Sequence, residues 1–191
     1  MLRVAFVGFR HGHIFSLYDH VKAHPQTSIV AACEEDPLAR EHAEQRGIAI
    51  THVSYDQMLA GVECDVVACG DYYGIRGARI IAALEKGRHV ISDKPLCTSL
   101  DELEAIARLS RDRNRVVGCM LDLGASGSLR RLQHWVAEGR LGEVHSVVFM
   151  GQHPLLYGKR ADWYFEPGKH GGTINDIGIH AIDLLPSLTG R

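Results

Sequence analysis

The sequence predicts an α/β fold: a doubly wound parallel sheet over residues 1–119, then the start of a second, α+β domain over 120–191. Two observations carry this. Short apolar runs alternate with segments of helical periodicity at the spacing of right-handed βαβ units, which build parallel sheets. After residue 119 that alternation stops, and a lone apolar run between helical stretches takes its place.

Leu2–Val7 reads as the first strand, ended by Gly8, and the apolar spacing Ile14, Leu17, Val21 as a helix. Ser28–Cys33 is a second strand, followed by Glu34-Glu35-Asp36-Pro37 and a polar helix ending at Gly47. Ile48–His52 reads as a short third strand, and Ser54-x-x-Gln57 as a capping box opening a brief helix. Asp65–Cys69 is the fourth strand, and Ile75–Lys86 a helix closed by Gly87. A fifth strand ends at Val90-Ile91 and runs into Ser92-Asp93-Lys94-Pro95. Ser99-x-x-Glu102 is a second capping box, for a helix to about Asp112, and Val116–Gly118 is a sixth strand. Beyond it lie a helix over Leu129–Glu138, a strand over Val144–Met150 with apolar residues on both faces, and an irregular stretch from Gln152 to Gly172. A last helix runs from about Thr173 to Leu188. A strand apolar on both faces belongs inside a covered sheet, and one strand cannot make a sheet. The chain is therefore expected to be either an incomplete protein, its second domain missing most of its strands, or one that completes its sheet with another subunit, and the full-length form to be a homo-oligomer.

With 46% hydrophobic and 23% charged residues and a net charge of −2, the composition is that of an ordinary globular protein. No basic stripe points to nucleic acid, and no apolar run is long enough to span a membrane. The five cysteines form no C-x-x-C pair and read as reduced core residues of a cytoplasmic protein. Twelve histidines raise the question of metal, through His11-x-His13 or His20 and His24. Zinc needs three or four converging ligands, and no Cys/His cluster completes either pair, so no metal is expected.

Three stretches carry chemistry. Pro95 disfavours the helical region for Lys94, and ligands of open α/β sheets bind outside the carboxyl ends of the strands. Lys94 is thus either a cation at the lip of a site or an ordinary surface lysine. The turn Gly8-Phe9-Arg10-His11-Gly12-His13 stands where a dinucleotide fingerprint G-x-G-x-x-G belongs. Only Gly8 matches: Arg10 takes the second glycine's place, His13 the third's, and Gly12 is off by one. Arg10 either supplies charge to a phosphate or obstructs its approach. Glu34 ends the second strand, where an acid accepting from ribose hydroxyls belongs, although a solvated acidic helix start fits equally well. With Glu35 and Asp36 beside it and no nearby arginine, a 2′-phosphate would be repelled, so NAD is favoured over NADP. In Gly171-Gly172-Thr173-Ile174-Asn175-Asp176-Ile177-Gly178-Ile179-His180, Asp176 and His180 share one helix face. That is either an arrangement for proton transfer or an intrahelical salt bridge.

Asp93-Lys94-Pro95, with Gly171-Gly172-x-x-x-Asp176-x-Gly178-x-His180-x-x-Asp183 downstream, resembles the glucose–fructose oxidoreductase and inositol dehydrogenase family (Gfo/Idh/MocA). The resemblance spans nearly the whole chain and includes Glu138-Gly139-Arg140-Leu141-Gly142-Glu143-Val144. It implies a Rossmann-like dinucleotide-binding domain followed by a substrate domain with a large open sheet, and oxidation or reduction of a hydroxyl on a sugar, polyol or related small molecule with NAD or NADP. By motif, Lys94 matches a lysine touching nicotinamide ribose and substrate, Asp176 the substrate-orienting acid and His180 the acid/base. Gly8, Arg10, Gly12, His13, Glu34, Gly70, Asp93 and Lys94 would be the cofactor-side residues. The departures are Asp93 for the usual glutamate, Arg10 in the glycine turn, and Cys69-Gly70-Asp71-Tyr72-Tyr73 in place of Thr-Pro and a later histidine. The leading expectation is an NAD-dependent oxidoreductase. The alternatives are a non-catalytic binding or regulatory protein of the same fold, and a lyase or hydrolase that uses tightly held NAD transiently.

Overall fold

The computed structural model describes residues 1–189. Five parallel strands, β1 (Leu2–Val7), β2 (Thr27–Cys33), β3 (Val66–Cys69), β4 (His89–Asp93) and β5 (Val117–Met120), lie in the order β2-β1-β3-β4-β5. The chain starts at β1, crosses to β2, and returns past β1 to β3, β4 and β5. The turn after β1 therefore sits where the strand order reverses, which is where open α/β sheets bind ligands.

Alternation along the strands explains why both faces are covered. Ala5 and Val7 of β1 face one buried cluster with Val67, Cys69, Ile80 and Leu84, while Val4 and Phe6 face another with Ile14, Phe15 and Tyr18. The first cluster is closed by α3 (Tyr55–Gly61), α4 (Tyr73–Glu85) and α5 (Leu100–Asp112). The second is closed by α1 (His13–Ala23) and α2 (Pro37–Gln45), with Phe6, Phe9 and Tyr18 packed ring against ring. Asp36 caps α2 by accepting from the Ala39 amide at 2.9 Å, and Ser54 caps α3 through the Gln57 amide. Ser99 precedes α5, but its side chain caps nothing.

Two expected strands are absent among the described residues. Ile48–His52 contributes only a bridge from His52 to Cys33. Thr51 and His52 donate their amides to Ala32 at the outer edge of β2, and Ile48 is spent in the helical layer. Val144–Met150 has no regular secondary structure and pairs with no strand among the described residues, leaving Val148 82% and Met150 90% exposed. A strand exists only through a neighbour's backbone, and the described residues offer it none. Residues 120 onward otherwise form a short 3₁₀ turn, α6 (Gly127–Ala137), a second 3₁₀ turn at Asp162–Phe165, a π-helical turn at Ile174–Gly178, and α7 (Ile179–Thr189). No helix among the described residues is long and apolar enough to cross a membrane.

Candidate active site

The site gathers where β1, β3 and β4 end. Lys94, expected at a lip, is fully buried: its Nζ donates to Asp176 Oδ1 at 2.7 Å and to the Asp176 carbonyl at 2.8 Å. A buried ammonium is tolerated only when paired and hydrogen-bonded, and Asp176 is in turn held from four sides. Tyr73 donates to Oδ1 at 2.8 Å, His153 to Oδ2 at 3.1 Å, and the Tyr164 hydroxyl also donates to Oδ2. Burial alone would raise the Asp176 pKa. The hydrogen bonds from Lys94, Tyr164 and Tyr73 outweigh it and hold the carboxyl well below its ordinary range. Burial and then the bond to Asp176 push the Tyr164 hydroxyl up to about 12.

His180 lies on the first turn of α7, 8% exposed, and its buried Nδ1 has no hydrogen-bond partner among the described residues. No hydrogen bond joins it to Asp176 among the described residues, contrary to the shared helix face. The reason is the π-helical turn. Its bonds run i→i+5, so four residues no longer complete one turn, and the carboxylate faces Lys94 instead. Burial, and then the charge of Lys94, push the His180 pKa below 6.5. Asp183 is exposed. A cavity of about 300 Å³ is lined by Lys94, His180, His11, His13, Asp122 and His153, among others.

The turn after β1 is tight because Gly8 adopts φ +76°, and a Cβ there would lie 2.5 Å from the Asp71 backbone. Gly70 has no room either, its Cβ falling 2.4 Å from Ile14, and its carbonyl accepts from the Arg10 and His11 amides. Gly12 is open, with nothing within 4 Å of a would-be Cβ. It precedes α1, whose N-terminus has no side-chain cap and no acid in its first turn. Glu34 is buried and turned inward, accepting from the Phe9 amide at 2.6 Å and the Asp36 amide at 2.8 Å. Arg10 lies 3.4 Å from Glu34 and 3.3 Å from Asp71. The expectation that no arginine stands near Glu34 is therefore corrected: the tight turn folds Arg10 back over the strand end, a proximity that linear spacing conceals. Burial raises the Glu34 pKa, against those two backbone bonds.

Asp93 ends β4, wholly buried, and accepts from His13 Nδ1 at 3.0 Å and from His11 Nδ1. Burial works to raise its pKa, but the two imidazoles and Arg76 keep the carboxyl below its ordinary range. The bond to Asp93 raises His13, whereas burial lowers His11. Arg76, fully buried on α4, donates to the carbonyls of Asp71, Lys94 and Pro95 and so fixes the backbone that carries Lys94. The Lys94–Pro95 peptide is cis. Tyr73, Arg76, His153 and Tyr164 have no motif of their own, and isolated aromatics and basic residues of this kind read as core or surface in a sequence. His11 is visible only as half of a histidine pair.

A family model described as an oxidoreductase family with an NAD-binding Rossmann fold matches residues 2–120, and a GFO/IDH/MocA C-terminal domain model matches 129–191. The chain belongs to the Gfo/Idh/MocA oxidoreductase family. Among its relatives, 1,5-anhydro-D-fructose reductase of Ensifer adhaerens is 27% identical, covering 75% of this chain and 43% of the relative. D-xylose 1-dehydrogenase (NADP(+)) 2 of Haloferax volcanii is 28% identical, covering 92% of this chain and 53% of the relative. The WlbA dehydrogenase of Bordetella pertussis, solved with NADH and UDP-GlcNAcA, superposes with a TM-score of 0.81 at 24% identity, covering 98% of this chain and 59% of that one. The myo-inositol 2-dehydrogenase of Lactobacillus plantarum gives 0.81 at 23%, covering 99% and 56%. These two likenesses show a common fold. The chain spans about half the length of the curated relatives it matches.

The group such a domain implies is a nicotinamide dinucleotide, and the turn fits its pyrophosphate. Gly12 leaves open space, and the first amides of an uncapped helix lack intrahelical partners and attract anions. At the ribose end Glu34 is in place, with its oxygens already engaged.

Proposed function

We propose that this chain carries the cofactor-binding and proton-handling machinery of an NAD-dependent oxidoreductase acting on a hydroxyl of a sugar, polyol or related small molecule. The observation that carries the reading is one cavity bounded by the buried Lys94 and by His180, whose Nδ1 has no hydrogen-bond partner among the described residues. Residues 2–120 would hold the dinucleotide and 120–191 would open the substrate domain. The names of relatives support the substrate class, levoglucosan dehydrogenase of Pseudarthrobacter phenanthrenivorans among them.

When bound, the nicotinamide ring accepts or supplies the hydride. The amides of Gly12 and His13, at the α1 N-terminus, would bind the pyrophosphate, those of Gly8, Phe9, Arg10 and His11 being engaged within the protein, and Glu34 would bind the adenosine ribose. His180, whose pKa burial lowers, takes the hydroxyl proton on a ring nitrogen, the task for which a depressed pKa suits it. Lys94 polarises the same oxygen, with its position set by Asp176 through the side chain and by Arg76 through the backbone. Asp176 positions Lys94 rather than His180. NAD is preferred over NADP because Glu34, Glu35 and Asp71 outnumber the two guanidiniums, Arg10 and Arg79, that pair with them, and Asp36 adds a further negative charge beside Glu35.

His180→Gln tests the reading, because it keeps size and hydrogen bonding but moves no proton. Turnover on sugar and polyol substrates should fall by about 10²–10⁴, with NADH affinity and melting temperature unchanged. Unchanged turnover with a normal melt overturns it.

A further inference from the structure

The sheet order sets the ends of β1 and β4 on either side of β3, and the side chains that follow them meet across its end. His11 and His13 both direct Nδ1 at the two oxygens of Asp93. One ligand-type atom from each of the three lies within 4.8 Å of the other two. The spacing His11-x-His13 lacks a third ligand in the sequence; the fold supplies it from 80 residues away. Asp93 has no exposure to water, and its carboxylate takes no backbone amide. Its other charged neighbour is Arg76: Nη2 lies 3.6 Å from Asp93 and makes no hydrogen bond among the described residues, while Nε and Nη1 donate to three main-chain carbonyls.

Two imidazoles and one carboxylate are a donor set for zinc and its first-row neighbours, not for calcium or magnesium, which take oxygen. Three protein ligands with room for a fourth is the pattern of a site open to water or substrate. The room is present: His11 and His13 line the 300 Å³ cavity, together with Asp122 and His180. His180, more than nine-tenths buried, lines the same cavity, and its Nδ1 has no hydrogen-bond partner among the described residues. Buried polar atoms are seldom left so.

We propose that His11, His13 and Asp93 form a binding site for a divalent transition-metal ion, zinc by donor set, on the wall of the cavity that holds Lys94 and His180. The proposal goes beyond the dehydrogenase reading and does not depend on it, since the three ligands belong to the sheet domain and metal binding is read without turnover.

The test is titration of the tag-free, metal-stripped protein with Co²⁺ followed by visible absorption, then displacement by Zn²⁺ against a chromophoric chelator. One equivalent should bind, with the ligand-field bands of a four- or five-coordinate nitrogen/oxygen site. His13→Ala, a half-exposed position that folding tolerates, should weaken binding by at least about 10²-fold, beyond the upper end of what losing an outer-shell partner costs. His20→Ala with His24→Ala, on the exposed side of α1, should leave it unchanged. The wild-type titration decides without any variant: absence of stoichiometric binding by protein with a normal melt overturns the site and leaves Asp93 as a hydrogen-bonding bridge between two histidines. Binding that survives His13→Ala, or is lost with His20 and His24, overturns it as well.

Discussion

The amide of Gly74, on the first turn of α4, donates to the Lys169 carbonyl at 2.8 Å, and a Cβ at Gly74 would stand 1.9 Å from the Gly168 carbonyl oxygen. This contact of backbone on backbone brings the Trp163–Gly172 stretch against the sheet domain, and with it Tyr164 and Asp176. Gly74→Ala should therefore lift that stretch. An overpacking cost of about 1–3 kcal/mol is expected, together with faster proteolysis between Tyr157 and Lys169. A variant with wild-type melting and cleavage rates would contradict this.

Asp176→Asn should destabilise more than its conservative form suggests. Removing one partner of a buried ion pair typically costs about 3–5 kcal/mol, and here two tyrosines and a histidine lose their charged acceptor as well. The folded-state pKa lies below the ordinary carboxylate value, so the stability Asp176 contributes is present above about pH 4 and lost as pH falls through the folded pKa. The variant should accordingly show a shallower acid limb in a plot of melting temperature against pH. An unchanged limb would place the acid sensitivity elsewhere, with Asp93 the next candidate.

Burial depresses the His180 pKa, so hydroxyl oxidation should rise with pH to a plateau, with a midpoint below the ordinary 6.5. Lys94→Met removes the charge that helps depress it and should move the midpoint upward in whatever turnover remains. A midpoint above 6.5 in the unmutated protein is the outcome that removes His180 from the proton step.

NADH should bind at least about tenfold tighter than NADPH, which corresponds to 1.4 kcal/mol. Arg10→Ala should widen the gap, because it removes the guanidinium that pairs with Glu34 and Asp71. Equal dissociation constants for the two dinucleotides, measured by fluorescence titration, would end the preference for NAD.

The sheet was legible because its strands are buried on both faces and read as continuous apolar runs between helical periods. Ile48–His52 and Val144–Met150 have the same composition and are not strands, since pairing depends on neighbours that composition does not report. Lys94, Asp176 and His180 could be singled out by motif, yet the partner of Asp176 could not. A π-helical turn leaves no mark in the spacing, and four residues read as one turn of α-helix. The ring of donors around Asp176 was hidden for another reason. Tyr73 and Tyr164 look like core aromatics until a carboxylate is known to face them. Arg10 beside Glu34, and Asp93 between two histidines, are contacts made at the sheet's edge by chain segments far apart in sequence.

The sequence separation of 82 between Lys94 and Asp176 also sets a timetable. All five strands are synthesised before the carboxylate that neutralises the buried ammonium, which follows Lys94 after about 4–16 s at 5–20 residues per second. A nascent sheet domain must meanwhile keep Lys94 hydrated, with the end of β4 open to water. Closure of the cavity beside Lys94 is thus a late event of synthesis. A translational pause between the codons for residues 120 and 176 would prolong the interval in which a half-made chain presents an unpaired cation at its ligand-binding edge.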